Sequence, residues 1–283
     1  MTPACIPLPH RGVLALSGED VHGFLQGLLS NDMERVRGGR AIYAALLTPQ
    51  GKFLHDVFAV ECEGTVYLDA EADRLDDLSK RLRRYRLRAK IAIEDASAGW
   101  AVEAAPEGAE HFGLAGAGPG GTARSGGAVA FVDPRDGRFG VRLLRPADAP
   151  TGLPEGDFAD YEALRYRLGA PDGSRDMPVG QAFLLESGFE RLNGVDWEKG
   201  CYVGQEVTAR THYRGAVRKQ LMPVALDAPV EPGTRIAVAG KPVGEMRSSL
   251  NGLGLALLRL DRIGDGAELE AGGAPLRVLE AEE

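Results

Sequence analysis

One thiol stands in a stretch suited to a tight turn. The run is Lys199-Gly200-Cys201-Tyr202-Val203-Gly204-Gln205-Glu206, continuing into Val207-Thr208-Ala209-Arg210. Glycines on either side allow backbone conformations or close approaches that a side chain forbids. Gln205 to Tyr213 reads as a helix stopped by Arg214-Gly215. Cys201 then lies near that helix's start, where unpaired backbone donors favour an anion. Lys199 and Arg210 add positive charge, while Glu206 opposes them. A thiolate held this way is a nucleophile, a redox sensor, or a transient ligand for a metal or for sulfur. The plain alternative is an inert core cysteine, since free cysteine is among the most buried residue types.

Other chemistry is sparse. The remaining cysteines, Cys5 and Cys62, are far from Cys201 and from each other, which gives neither a disulfide framework nor a metal-ligand spacing. One cysteine cannot hold an iron–sulfur cluster alone, because stable clusters usually take four ligands. The five histidines form no metalloprotease pair, so no permanent metal site is expected. Gly116-Ala117-Gly118-Pro119-Gly120-Gly121 matches the dinucleotide fingerprint by letter. It lacks the preceding strand and following helix that the motif requires, so it reads as a surface loop. The chain has 283 residues, 26% of them charged, and a net charge of −8, which speaks against general nucleic-acid affinity. Neither a membrane span nor a secretory signal is expected, and the odd cysteine count points to a reducing cytoplasm.

Several elements must position the thiol. Gly12 to Leu16 reads as a strand, followed by a helix capped at Ser17 with Val21, Phe24, Leu25 and Leu28 on one face. Strands are expected over residues 41–47, 53–60 and 65–69, with Thr48-Pro49-Gln50-Gly51 as a turn. Residues 71–90 give a helix with Leu75, Leu78, Leu82 and Tyr85 along one stripe. Acids open it, and Lys80, Arg81, Arg83, Arg84, Arg86, Arg88 and Lys90 crowd its end, as the helix dipole favours. Residues 100–130 lose periodicity. A helix over 158–168 carries Phe158, Tyr161, Leu164, Arg165 and Leu168 on one side. After a boundary near 217, short strands over 221–226, 235–238, 243–248, 253–258 and 276–279 alternate with turns, including Asp265-Gly266, and suggest a small β-barrel.

The run from Lys199 to Arg210 resembles the signature of the YgfZ family, folate-binding proteins of iron–sulfur cluster assembly or repair related to the glycine cleavage T-protein. Phe24-Leu25-Gln26-Gly27, Leu47 to Lys52, Arg81 to Tyr85, Leu164 to Gly169 with Pro171, and Gly254 to Arg259 are similar to other family segments, in the same order. The resemblance implies an α+β ring of two ferredoxin-like units and a C-terminal β-barrel around an opening for a reduced folate. Residues 1–42 with 141–217 would form the first unit, 43–140 an inserted unit, and 218–283 the barrel. It also implies that tetrahydrofolate is bound, with Asp56, Tyr166, Ala170, Arg84 and Arg86 as contacts and the arginines meeting its glutamate tail. Cys201 would be the working thiol, with Lys199, Gln205, Glu206 and Arg210 shaping its turn.

Two departures bear on the chemistry. Where the T-protein pattern carries adjacent acids, this chain has His55-Asp56, so one acid remains, with a solvent-facing strand position as its plain alternative. Where relatives carry a tryptophan, this chain has Ala170, leaving Tyr166 or Phe183 to supply an aromatic surface. The expected function is therefore that of a monomeric accessory protein for iron–sulfur enzymes, without classical turnover. A folate-dependent aminomethyltransferase is the alternative. A demethylase module would need a flavin domain for which the chain has no room. Expected partners are a reduced folate and iron–sulfur client or assembly proteins, with no membrane and no stable nucleic acid.

Overall fold

Strands buried on both faces read as continuous apolar runs, and the chain's central strands do so. Tyr43, Ala45 and Leu47 enter one core while Ile42, Ala44 and Leu46 enter another. The computed structural model describes residues 3–125, 127–215, 217–264 and 267–279. In chain order the elements are β1 (Ile6–Pro7), β2 (Arg11–Ser17), α1 (Val21–Gln26), α2 (Met33–Arg37), β3 (Ile42–Leu47), β4 (Phe53–Cys62), β5 (Thr65–Glu71), α3 (Leu75–Tyr85), β6 (Ala92–Asp95), β7 (Trp100–Ala105), β8 (Thr122–Ser125), β9 (Ala128–Val132) and β10 (Val141–Pro146). There follow α4 (Phe158–Arg167), α5 (Gly173–Asp176), α6 (Gln205–Arg214), β11 (Lys219–Leu226), β12 (Arg235–Val238), β13 (Lys241–Leu250), β14 (Leu253–Arg259), β15 (Leu269–Ala271) and β16 (Ala274–Val278).

The strands form two five-stranded sheets, ordered β3-β4-β5-β2-β6 and β1-β7-β10-β9-β8, and a closed six-stranded barrel. One face of each sheet contributes to a shared core with the segment from α4 to Tyr202. The outer face of the first sheet is covered by α1, α2 and α3. The barrel has its own core and meets α4 through Tyr166, Leu221 and Leu255. The fold is thus α+β with a C-terminal barrel.

Strand pairing does not follow the expected division at residues 42 and 140. β2 lies between β5 and β6, so residues 11–17 belong with 42–95; β7 and β9 flank β10, and β8 pairs with β9 at the edge. The expected aperiodic stretch contains these three strands; β7 and β9 carry their apolar positions largely on alanine and valine, as in Ala128–Val132, and β8 is short and polar. The Gly116–Gly121 loop is a structural tuck. Gly120 hydrogen-bonds through its backbone to Ala41 and Val132, and a Cβ there would sit 2.4 Å from the Ala41 carbonyl. α1 begins after Asp20 rather than at Ser17, and Tyr85 is 41% exposed rather than part of the buried α3 stripe. The expected Asp265-Gly266 turn lies outside the described residues.

Candidate functional site

The Thr48–Gly51 turn and the Cys201 stretch are one unit held backbone to backbone. A Cβ on Gly204 would stand 2.4 Å from the Thr48 carbonyl, and one on Gly51 would stand 2.9 Å from Val207 Cβ. Both glycines also have left-handed φ, +86° and +74°. Gly204 ends the loop as the residue before α6, and Gln205 reaches back to accept a hydrogen bond from Tyr202 N at 3.1 Å. Gly200, at φ +89°, has no atom near its missing Cβ, so conformation alone requires glycine there.

The other end of the loop is tied to the end of α1. Lys199 Nζ donates to the carbonyls of Gln26 and Leu29 at 2.6 and 2.7 Å, a position suited to a cation at a helix C-terminus. Burial pushes its ammonium down to about 8, against Asp32 and Asp196. Asp196 accepts from the backbone N–H groups of Glu198 and Lys199 and pairs with Arg35 at 2.6 Å. Val203 N donates to Gly27 O at 3.1 Å. Between these clamps Tyr202 is buried and Cys201 is exposed. Cys5 and Cys62 are buried, and burial raises both thiols, Cys5 to about 11.

His55 and Asp56 point to opposite faces of β4. His55 pairs with Asp77 of α3 at 3.0 Å. Asp56 is 2% exposed and faces inward, so the solvent-facing alternative is wrong. Tyr43 donates to it at 3.2 Å and Arg11 lies 3.6 Å away. Burial raises the Asp56 carboxyl; Arg11 opposes, while Asp172, Glu71 and Asp69 add to the rise. An ionic chain continues from there, buried except at Arg175. Arg11 binds Asp69 at 2.7 Å and lies 3.5 Å from Asp172, which Arg175 binds at 2.9 Å. Arg175 and Arg165 share Glu162, at 2.7 and 2.6 Å, and Arg165 binds Asp176 at 2.7 Å. Arg165 also donates to Ser248 of the barrel at 2.9 Å. Burial acts to raise Glu162, but the two guanidiniums outweigh it and hold the carboxyl at about 2.

Beside this chain lies a cavity of about 460 Å³ between the segment from Asp176 to Ser187 and strands β11, β13 and β14. Lys219, Arg247, Arg259 and Arg262 line it with Glu186 and Glu245. Arg247 and Arg259 have carboxylate partners in Glu245 and Asp261. Burial raises the Glu186 carboxyl, against the pull of Lys219, Lys52 and Arg247.

The C-terminal barrel domain of CAF17 matches residues 218–282. The mouse mitochondrial iron–sulfur cluster assembly factor IBA57 is 37% identical over 287 residues, covering 92% of this chain and 78% of its own length. The human protein is 36% identical with the same coverage. The chain belongs to the IBA57/YgfZ family of iron–sulfur cluster assembly factors. Aminomethyltransferase T of the glycine cleavage system from Bartonella henselae has the same fold, with a TM-score of 0.78 over 99% of this chain and 85% of that one at 14% identity. The mouse and human family members are mitochondrial by name, where the cysteine count of this chain suggested a cytoplasm.

Against this family background the expected residues fall into three groups. Cys201 is presented on the surface, with Lys199 and Gln205 bracing its loop rather than facing solvent beside it. Glu206 and Arg210 are exposed on α6, and their side chains make no hydrogen bond or ion pair among the described residues. Asp56, Tyr166 and Ala170 are all buried; Tyr166 donates to Glu162 at 2.8 Å and packs on the barrel, so it offers no face for stacking. Arg84 and Arg86 are exposed at the far end of α3, about 10 Å or more along its axis from the turn that meets β4. The sequence reading missed the ionic chain and the cavity. Its one signal was Arg165, which shares a helix side with Phe158, Tyr161 and Leu168, a place where a charge needs buried partners.

Proposed function

We propose that this family member supplies the Cys201 thiol as a transient ligand or acceptor during iron–sulfur cluster assembly or repair, acting as a monomer with a reduced folate bound beside the barrel. The observation that supports it is the contrast among the three cysteines: Cys201 alone is exposed, on a loop fixed at both ends. A cluster in transit usually needs four ligands, so one thiol here leaves the others to an assembly or client protein. Lys199 and Gly204 act by holding the loop in place, which keeps the sulfur presented without reorganisation.

The cavity beside the barrel suits a reduced folate better than the buried surroundings of Asp56. Its volume falls in the usual range for small-molecule sites. Lys219 and Arg262 offer cations for the glutamate carboxylates, and Glu186 offers an acceptor for the amino and ring N–H groups of the pterin. Asp56 is enclosed by Arg11, Tyr43 and Gly173, and this argues against the aminomethyltransferase reading.

The test is rescue of iron–sulfur enzyme activity in cells lacking the protein. Cys201→Ala should fold normally and lose rescue; full rescue would overturn the role of the thiol. In tetrahydrofolate titrations, Lys219→Glu combined with Glu186→Gln should weaken binding about tenfold, while Asp56→Asn leaves it unchanged. The reverse pattern would move the folate to Asp56. Formation of methylenetetrahydrofolate from an aminomethyl donor would favour the enzyme reading.

A further inference from the structure

The end of α3 is unlike the rest of an acidic chain. Between Lys80 and Lys90 the sequence places Arg81, Arg83, Arg84, Arg86 and Arg88. The helix stops at Tyr85, and residues 86–89 form a turn closed by Ala89 N donating to Arg86 O at 2.7 Å. Leu87 sits at the tip of this turn and is 89% exposed, the most exposed large apolar side chain among the described residues. Its φ is +41°, left-handed for a non-glycine residue, a conformation that costs about 1 kcal/mol. Tyr85 beside it is 41% exposed. A leucine held outward against its own backbone preference is a feature to be explained by what it touches.

The charges around it are only partly answered. Lys80 pairs with Asp76, Arg81 with Asp77 and Lys90 with Glu19. Asp20 accepts from the Lys90 backbone N–H, and Arg83 and Arg86 donate to the carbonyls of Ile93 and Ile91. The side chains of Arg84 and Arg88 make no hydrogen bond or ion pair among the described residues. The result is a convex tip with one aliphatic and one aromatic residue between unpaired guanidiniums.

We propose that this tip docks on an anionic lipid surface, with Leu87 entering the headgroup–acyl boundary and the arginines meeting lipid phosphates and carboxylates. Shape decides between a lipid surface and a protein. A stable protein partner covers roughly 800 Å² on each side and receives protruding residues in matching pockets. The tip offers only a few side chains, whereas a bilayer needs no matching pocket and gains from each basic residue near it. No helix among the described residues is long and apolar enough to cross a membrane, and docking of this kind needs none. The net charge of −8 does not prevent docking, since salt screens its repulsion beyond about 10 Å and the charges nearest the lipid are the arginines of the tip.

The test is flotation of the full chain with vesicles of pure phosphatidylcholine and of phosphatidylcholine containing about 30% phosphatidylserine. Binding is expected only to the charged vesicles and should weaken with added salt. Leu87→Gly suits the left-handed backbone, so it should leave thermal stability intact while lowering partitioning about tenfold. Arg84→Glu with Arg88→Glu should lower it at least tenfold. Equal binding to both vesicle types, or none to either, overturns the proposal. So does a soluble polyglutamate peptide that competes fully and binds Leu87→Gly as tightly as the unaltered protein, which would make the tip a site for acidic chains.

Discussion

Gly200 and Gly204 flank the same cysteine but are required for different reasons. Gly200 needs only its left-handed φ, and its missing Cβ faces open space. Gly204 needs both its φ and the contact with the Thr48 carbonyl, which is backbone and cannot move aside. Gly200→Ala should therefore cost about 1 kcal/mol in denaturant unfolding. Gly204→Ala should cost roughly 3 kcal/mol or more, and should also increase the accessibility of Tyr202 by freeing the loop from the Thr48 turn. Equal losses would mean that the two backbones do not meet as described. Both glycines were legible as turn residues in the sequence. Their difference was not, because it depends on a turn about 150 residues earlier.

Between elements, His55 links β4 to α3 through Asp77, and it carries a pH dependence. Burial lowers the imidazole from its usual 6.5 to about 4, Arg74 adding to the effect and Asp77 opposing it. The unfolded chain therefore takes up this proton first, and stability falls as pH drops from 6.5 to 4. The full loss is about 3 kcal/mol. Asp77 stays ionised through that window: its partial burial acts to raise it, but Arg81 and His55 hold it low. His55→Gln keeps a donor toward Asp77 and should flatten the melting temperature between pH 6.5 and 4, at little cost near neutrality. An unchanged slope would place the titration elsewhere. The elements themselves were read well where apolar residues are large and evenly spaced, as in β4, α4 and most barrel strands. They were missed where alanine carries the alternation, as in β7 and β9, or where the run is as short as Leu269–Ala271. The orientation of Asp56 was hidden because a fully buried strand has no polar face to set its phase.

At the scale of the whole molecule, the barrel is tied to the rest by a small apolar contact, Tyr166 with Leu221 and Leu255, by the Leu221 N–H donating to Glu186 O at 2.7 Å, and by the ionic chain, whose Arg165 and Asp176 both bond Ser248. Pairs of buried charges contribute little net stability, yet breaking one leaves a costly unpaired charge. Glu162 is the joint, since it binds Arg165, Arg175 and Tyr166 together. Its carboxyl is held at about 2, against an ordinary 4.5, so the stabilisation it provides is present above pH 4.5 and is lost as pH falls toward 2. Acid should thus loosen the molecule in two stages, the His55 link first and the barrel contact in the lower window. Protection of the Leu221 amide from hydrogen exchange, which rests on its 2.7 Å bond to Glu186 O across this contact, should then be lost only below about pH 4.5. Glu162→Gln takes one carboxylate from each of two guanidiniums, of which Arg165 keeps Asp176 and the half-exposed Arg175 keeps Asp172, and should cost about 3 kcal/mol at neutral pH. It should also remove the protection of the Leu221 amide there and abolish the lower acid step. A variant that keeps both the neutral stability and the acid profile would show that the barrel is held in place without the Glu162 joint.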